Sequence, residues 1–275
     1  MFLMMHIIIL NNTCMKILSL FMLVCIYSFS FAQTQREGFT IGLNVGMYFA
    51  NANEAMYYNG SDARPAKLRD VIGNPNTYEE IALYVDDDFT FDPNITIFRY
   101  KPAVAVGFHM QYYTSQKLAF YTNFDIILLD SYGIFVLELV SPPQPPKTSN
   151  TVEGSITASE KRFTMSGGLH ILLPEQNKYT PFIDLGASAS LLQTDSHTMS
   201  IGPITRSMYY SSNSYVPETS LYSTFGYGPQ IGVGVQFPLS ESYYIFTGAY
   251  AEFLRYGFIA NGFGLNTCIS VRIQF

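Results

Sequence analysis

The chain ends on an alternation of largely apolar with polar or small side chains that runs unbroken from Phe263 to Phe275. Successive side chains of a β-strand point to opposite faces, so this pattern predicts a strand with one apolar face. The terminus of a water-soluble domain is usually frayed and polar. A strand that stays apolar up to its carboxylate indicates an apolar environment outside the sheet.

The beginning of the chain has the features of a secretory leader. Lys16 precedes an apolar core, which ends in a small-residue cleavage site. This order predicts a signal peptide over residues 1–32, cleaved before Gln33, with either Met1 or Met15 as the initiator. The alternative is an uncleaved membrane anchor, which is disfavoured because no basic cluster follows the apolar core.

The composition is that of a membrane protein without membrane helices. Only 13% of the residues are charged, against roughly 25% in ordinary soluble domains, and 16% are aromatic. Beyond the leader no apolar run reaches the ~20 residues of a spanning helix, and Cys268 is the single cysteine, so no intrachain disulfide can form. The net charge of −6, with no basic stripe, excludes nucleic acid as a partner.

Eight alternating segments predict an all-β fold. Short connections of hairpin length alternate with three long ones over residues 51–97, 141–150 and 193–224. Such alternation is typical of a transmembrane antiparallel up-and-down β-barrel, with long extracellular loops and short periplasmic turns. The sequences IALYV and FTFDPNITIF within the first loop would make ten strands instead of eight. The eight segments are Phe39–Ala50, Phe98–Tyr113, Leu118–Val140, Thr151–Leu173, Thr180–Leu192, Phe225–Pro238, Tyr243–Tyr256 and Phe263–Phe275.

The parity of each segment assigns its faces. In the second segment Val104, Val106 and Phe108 should face lipid, whereas His109 and Gln111 should face the interior. Aromatic side chains concentrate near both ends of the segments, where rings can form girdles at the depth of the lipid headgroups. The expected girdle residues are Tyr112, Tyr113, Phe120, Tyr121, Tyr179, Phe237, Tyr243, Tyr244 and Phe275 near the turns, and Tyr48, Phe49, Phe98, Tyr100, Phe225, Tyr227, Tyr256 and Phe263 near the loops.

A barrel of eight strands has an interior just wide enough to be filled by side chains. We therefore expect no conducting pore, no metal site and no cofactor. Charged side chains in such a lumen should pair with one another, and the alternative is that they form a proton or ion path. The inward-facing candidates for this polar network are Asp125, Arg162, His170, Asp184 and Arg272.

The first long loop carries helix signals and a run of acids. An N-cap candidate at Ser61 or Asp62 and a stop at Gly73 predict a short helix over Ala63–Ile72, whose apolar side chains pack on the barrel mouth or on a partner. An acidic patch follows, interpreted as a solvated loop or, alternatively, as a calcium site. Its members are Asp86, Asp87, Asp88, Asp92 and Asn94.

Two further outer regions are candidates for recognition. The third loop interleaves tyrosine with serine and asparagine, a mixture found in binding loops, although it could equally fold over the mouth. Leu118–Val140 and Thr151–Leu173 exceed the ~9–11 residues of a tilted span, so we expect a projecting arm that docks a protein and exposes Phe135, Leu137 and Leu139. The candidate binding-loop residues are Tyr209, Tyr210, Tyr215 and Tyr222.

The same region contains the one cluster that resembles catalytic machinery. His197 lies near Asp195, Ser196 and Ser200 in what we expect to be a solvated outer loop. Proximity in sequence does not make a catalytic triad, which is a spatial arrangement. We therefore predict no catalytic residues and no enzyme activity.

The terminal strand resembles the closing strand of bacterial outer-membrane β-barrels, whose final Phe is read by the barrel-assembly machinery. This resemblance implies that Ile273 and Phe275 form an assembly signal. Together with the Ala32–Gln33 junction, the terminal Arg-Ile-Gln-Phe resembles the small barrels of the Bacteroidota, of the PorT-like or OmpA-like-barrel class. The resemblance implies a location in the outer membrane of a Gram-negative bacterium, with outer-membrane lipid and the assembly machinery as partners.

The function expected from these features is that of a non-catalytic barrel. Its extracellular loops would bind a ligand or assemble with another envelope or secretion protein. The alternatives are an outer-rim hydrolase of lipid or peptide, and a narrow transport barrel if the strands number ten or more.

Overall fold

The computed structural model describes residues 38–92, 97–141, 149–175, 179–208, 223–240, 243–257 and 264–274. The helices are α1 (Ala52–Ala55), α2 (Leu68–Ile72) and α3 (Pro75–Val85), with a 3₁₀ turn over Met56–Tyr58. The strands are β1 (Gly38–Phe49), β2 (Phe89–Phe91), β3 (Phe98–Tyr100), β4 (Ala103–Ser115), β5 (Leu118–Leu139), β6 (Thr151–Leu172), β7 (Thr180–Ile201), β8 (Ile204–Ser207), β9 (Ser223–Pro238), β10 (Tyr244–Tyr256) and β11 (Gly264–Gln274).

Eight of these strands close into an antiparallel ring. The order is β1-β4-β5-β6-β7-β9-β10-β11, and β11 returns to β1, with Val45 opposite Val271. The all-β up-and-down barrel expected from the sequence is therefore confirmed. The ten-strand alternative is wrong, because IALYV lies in α3, while β2 and β3 pair with the far end of β5 outside the ring.

The two faces of the ring follow the predicted parity. On β4, Val104, Val106 and Phe108 are exposed on the outside, whereas His109 and Gln111 are buried inside. The lumen is tightly filled. A Cβ added at Gly232 on β9, for example, would collide with the ring of Tyr250 on β10.

The girdle prediction is correct for the outward aromatics and wrong for the inward ones. Tyr112, Phe120 and Phe237 are exposed near the turns, and Phe225 and Tyr227 are exposed near the opposite end. The parity of the strand, rather than the depth of the residue, decides where a ring points. Six predicted girdle residues are therefore buried inside: Tyr48, Phe98, Tyr100, Tyr113, Tyr121 and Tyr256.

Strands β5, β6 and β7 are each 22 residues long and project beyond the rest of the ring. The extension of β7 shows that the predicted loop over residues 193–224 is wrong in its first part, which forms strands. β7 continues to Ile201, turns at Gly202 and returns as β8. Ser159 and Glu160 of β6 pair with Ser196 and Thr194 of β7, so Asp195 is an extra residue in β7. This bulge breaks the alternation of β7, which hid the extension from the sequence pattern. We call the projecting parts of β5–β8 the arm.

The first long loop is folded, and it covers the outer mouth of the ring. We call α1, the 3₁₀ turn, α2, α3, β2 and β3 together the cap. Gly73 ends α2 as predicted, but α2 begins only at Leu68, and α3 follows directly, with Asn74 as its N-cap and Pro75 at its first position. None of the helices described is long and apolar enough to cross a membrane.

The cap and the arm share one apolar core. Leu68 and Ile72 of α2 and Ile81 of α3 are buried against the inner face of the arm. Of the two expected alternatives, packing on the barrel mouth and packing on a partner, the structure shows the first. The prediction that Phe135, Leu137 and Leu139 are exposed on the arm is wrong. Phe135 and Leu137 are buried in this core, and Leu139 packs partly buried against it, because they lie on the inner face of β5.

Candidate functional site

The centre of the mouth is a buried cluster around Arg162 of β6. Arg162 Nη1 donates to Glu54 Oε2 at 2.7 Å, and its Nε donates to Glu160 Oε1 at 2.6 Å. All three side chains are buried. Glu54 belongs to α1 of the cap, whereas Arg162 and Glu160 belong to the barrel, so the ion pairs join the two parts of the molecule.

Tyrosine and asparagine side chains surround these three charged groups. Tyr58 and Tyr100 each donate a hydroxyl hydrogen bond to Glu160 Oε2, at 2.6 and 3.0 Å. Asn266 Nδ2 donates to Glu54 Oε1 at 3.0 Å. The guanidinium carbon of Arg162 lies 5.2 Å from the ring centre of Tyr100 and 5.3 Å from that of Tyr256, within range of a cation–π interaction. Both carboxylates are thus satisfied without water.

Local structure positions these groups. Glu160 and Arg162 are two residues apart on β6, so both point inward. Asn51 anchors α1, since its side chain accepts from Asn53 N and its backbone N donates to Asn266 Oδ1 at 2.8 Å. Burial raises the pKa of the Glu54 carboxyl, against the opposing effects of Arg162 and the Asn266 amide. Of this cluster the sequence predicted only Arg162. Glu160 could have been predicted as well, because it lies two residues before Arg162 and therefore on the same inward face with the opposite charge. The sequence contains no comparable signal for Glu54.

His197 forms a second link between cap and arm. It is buried on the inner face of β7, and its Nε2 lies 2.9 Å from the backbone oxygen of Tyr58. A carbonyl only accepts, so Nε2 carries the proton. Burial lowers the pKa of His197 to about 4, although the hydrogen bond to Tyr58 acts in the opposite direction. The solvated loop predicted for His197 is therefore wrong, because the strand extends further than its sequence pattern suggested.

The acid, histidine and hydroxyl groups considered for catalysis do not converge. Asp195 forms an ion pair with Lys161 at 2.7 Å on the outside of the barrel, and Ser196 hydrogen-bonds to Ser159 at 2.7 Å on the same outer face. His197 faces the interior. The strand thus separates the histidine from its two neighbours.

The middle of the lumen is polar. Glu252 accepts hydrogen bonds from Ser188 at 2.9 Å and Gln230 at 3.2 Å, and Asn44 donates to Asp125 at 2.8 Å. Asn44, Asp125 and Glu252 line a cavity together with Ser270 and Arg272. In the described part of the chain Ser270 Oγ and Arg272 Nε have no hydrogen-bond partner, and water in the cavity would satisfy such groups.

The turn end of the lumen is closed by a histidine–aspartate pair and by aromatic rings. His170 Nδ1 lies 2.5 Å from Asp184 Oδ1, and Asp184 Oδ2 accepts from Tyr250 at 3.0 Å and lies 3.6 Å from Arg272 Nη1. Phe182 packs against His170 with 4.8 Å between the ring centres. The buried apolar side chains at this level are Tyr113, Ala119, Leu172, Phe182, Phe246 and Tyr250.

The structure thus divides the five residues of the expected lumen network. His170, Asp184 and Arg272 lie together near the turns, Asp125 lies at the central cavity beside Arg272, and Arg162 lies apart at the mouth. The tyrosines of the candidate binding loop (Tyr209, Tyr210, Tyr215 and Tyr222) fall outside the described residues, as does Phe275. Ile273 is described, and it lies on the outer face of β11 opposite Leu43.

The acidic run at the end of α3 makes local hydrogen bonds. Asp87 accepts from Ser141 N and Oγ at 3.0 and 2.9 Å, and Asp88 accepts from the Tyr78 hydroxyl at 3.3 Å. Asp86 is the left-handed C-cap of α3, with φ of 58°. Within the ranges that the structure covers, no group of three potential metal ligands is assembled, and Asn94 lies outside them.

Comparison with known proteins returns matches of fold only. No protein-family model and no curated protein sequence matches the chain. Neisserial surface protein A aligns with a TM-score of 0.40 at 10% identity, over 86% of this chain and 96% of that chain. OprG from Pseudomonas aeruginosa aligns with a TM-score of 0.39 at 10% identity, over 88% of this chain and 97% of that chain. Ail of Yersinia pestis aligns with a TM-score of 0.34 at 10% identity, over 87% of this chain and 99% of that chain. At these TM-scores, the barrel assignment rests on the strand pairing of this chain itself.

Proposed function

We propose that this chain is a small, non-catalytic outer-membrane β-barrel of a Gram-negative bacterium, secreted with the signal peptide 1–32. Its lumen is closed, and its folded cap faces the cell exterior, where cap and arm bind a ligand or assemble with another envelope or secretion protein. Membership of the PorT-like class of the Bacteroidota is part of this proposal, supported by the terminal Arg-Ile-Gln-Phe.

The exterior of the ring carries the argument for a membrane. Every strand of the ring carries exposed apolar side chains on its outer face, as with Val45, Phe108, Ile126, Leu185 and Ile269. Exposed apolar surface of this extent is unfavourable in water. On β5 the outward apolar run from Phe120 to Leu128 matches the ~9–11 residues of a tilted membrane strand, and the charged Asp130 follows it. The Lys161–Asp195 ion pair lies at the corresponding level on β6 and β7.

The filled interior supports a role other than conduction. The Arg162 cluster fills the mouth, and the side chains around Glu252 and Asp125 lie in the middle of the lumen. The aromatic rings around His170 fill the turn end. The cap adds a further layer over the mouth. A folded and anchored outer layer is what a displayed binding surface requires, since rigid scaffolds position recognition groups best.

Two measurements on one purified sample test this proposal. The protein extracted from outer membranes should migrate faster in a gel before boiling than after it, as compact barrels do, and it should give no steady current in a planar lipid bilayer. A single unshifted band would contradict the barrel in the membrane. A shifted band with a stable current would contradict the closed lumen alone.

A further inference from the structure

The outer face of β5 stays apolar above the membrane belt. Tyr132, Ile134 and Val136 project outward there and are 39%, 45% and 41% exposed. They continue the lipid-facing line of Ile126 and Leu128 beyond the charged Asp130. We call these three residues the apolar stripe.

The neighbouring strands do not share this character. At the same levels the outer faces of β6, β7 and β8 carry hydroxyl side chains, which pair across the strands. Thr157 bonds to Thr198 at 2.9 Å, and Ser200 bonds to Thr205 at 3.1 Å. The sheet therefore has a hydrated outer face on one side and the apolar stripe on the other. The exposed apolar side chains thus lie on β5 and at Ile97 of the adjacent segment, which is 70% exposed, and they are absent from the described outer faces of β6–β8 at these levels. Such a local concentration marks a contact surface rather than a general property of the arm.

Charges of both signs lie beside the stripe. Asp130 is exposed on β5 just below it, and Arg99 and Lys101 are exposed on the adjacent segment, where Lys101 N donates to the backbone oxygen of Asp130 at 2.8 Å. In the described ranges none of these three side chains forms an ion pair with another residue. Opposite charges thus flank one stripe at nearly one height above the membrane.

We propose that the stripe is the contact between two copies of this chain, related by a two-fold axis along the membrane normal. This inference rests on the proposed membrane-spanning barrel and names its assembly partner. A second copy in the same membrane presents the same stripe at the same height, so apolar side chains meet apolar side chains. The rotation also brings Asp130 of one copy to the level of Lys101 and Arg99 of the other.

The contact continues into the membrane. A stable interface buries about 800 Å² per partner, more than three half-exposed side chains supply. The line of β5 below the stripe adds to this area, because Leu128, Ile126 and Phe124 face outward on the same strand. A partner confined to the extracellular space would cover the stripe but not this lower part. The observations therefore favour a partner that is itself a barrel in the same membrane.

Cross-linking in native outer membranes tests the contact. In a Cys268→Ser background, Ile134→Cys should give a covalent homodimer with a short bismaleimide. The matched control Thr157→Cys, on the hydroxyl face one strand away, should stay monomeric. A cross-link from Ile134→Cys to a different protein, equal cross-linking of both variants, or a monomer with both would each overturn the proposal.

Charge exchange tests the geometry independently. Asp130→Lys should lower the dimer fraction by at least about tenfold, because like charges then face one another across the axis. The double variant Asp130→Lys/Lys101→Asp should recover the dimer. Failure of the double variant to recover it would overturn the two-fold arrangement. Heat-modifiable mobility, measured on every variant, separates this outcome from failure of the barrel, because a folded monomer still shifts in the gel whereas a chain outside the membrane does not.

Discussion

At the scale of single residues, Arg162 is where the cap and the barrel are joined. One guanidinium bonds to a carboxylate from each part, and the surrounding tyrosines exclude water. Burying three charges is costly, and their attraction offsets this cost only while every partner is in place. The cluster therefore ties the position of α1 in the cap to that of β6 in the barrel.

Replacement of Arg162 by Met should be strongly destabilising. It leaves Glu54 and Glu160 buried without a cation, a situation that costs about 3–5 kcal/mol. Denaturant unfolding in detergent and the rate of proteolysis within the cap measure this loss. The control is Arg206→Met, which removes an exposed ion pair with Glu80 and should cost no more than about 1 kcal/mol. Equal effects of the two variants would contradict the assigned role of the cluster.

His197 should make closure of the cap sensitive to acid. Its folded-state pKa of about 4 lies below the unfolded value near 6.5, so the unfolded chain binds more protons between these two values. Stability is then complete above pH 6.5, falls as the pH drops towards 4, and should decrease by roughly 2 kcal/mol between pH 7 and pH 5.

The matched variant His197→Gln retains an N–H donor for the Tyr58 carbonyl but does not titrate. The stability of this variant should therefore not show the decrease between pH 7 and pH 5 that is attributed to His197. The raised pKa of Glu54 works in the opposite direction, since it favours the folded state as the pH falls. The informative quantity is thus the difference between wild type and variant in protease resistance of the cap at each pH. A constant difference across the range would refute the prediction.

At the scale of elements, strand parity explains both what the sequence predicted and what it did not. Apart from the end of β7 and the start of β4, alternation located the ends of every strand of the ring to within a few residues, and it assigned the faces of β4 correctly. It failed on β7 because the bulge opposite Glu160 shifts the period and because hydroxyl side chains on the outer face weaken the contrast. It also failed on α3, where IALYV is equally consistent with a strand until its helical N-cap at Asn74 is considered.

Parity on the projecting part of β5 gives a direct test. Leu137 is buried under the cap, whereas its neighbour Val136 faces outward. Leu137→Ala should cost about 2–5 kcal/mol of cap stability, and Val136→Ala should change it by less than about 0.5 kcal/mol. Cap proteolysis of the monomer in detergent distinguishes the two. A larger effect of Val136→Ala would mean that the faces of β5 are reversed.

At the scale of the whole molecule, the number of strands was predictable and the contents of the mouth were not. Closure of the ring requires only local alternation and short turns, which are written along the sequence. The cap core depends on contacts between distant segments, such as Tyr58 with Glu160 and Glu54 with Asn266, and no local period reports them. The lumen was predictable in part: the sequence indicated which residues face inward, but not which of them pair with one another.

The chain terminus should matter for assembly rather than for binding. If Phe275 is the residue read by the assembly machinery, Phe275→Ala should lower the amount of heat-modifiable barrel in the membrane, while molecules that do fold keep their dimer contact. Quantifying the shifted band against total protein measures this effect. An unchanged amount of folded barrel would contradict the role given to Phe275.

The central claim is that the ring spans the outer membrane with the cap outside and the short turns inside. Labelling of intact cells with a membrane-impermeant maleimide tests it most directly, using single cysteines in a Cys268→Ser background. Ala63→Cys, exposed in the cap region, should be labelled on intact cells, whereas Lys117→Cys, exposed in the β4–β5 turn, should react only after the outer membrane is permeabilised. Labelling of Lys117→Cys on intact cells, or protection of Ala63→Cys there, would contradict this account.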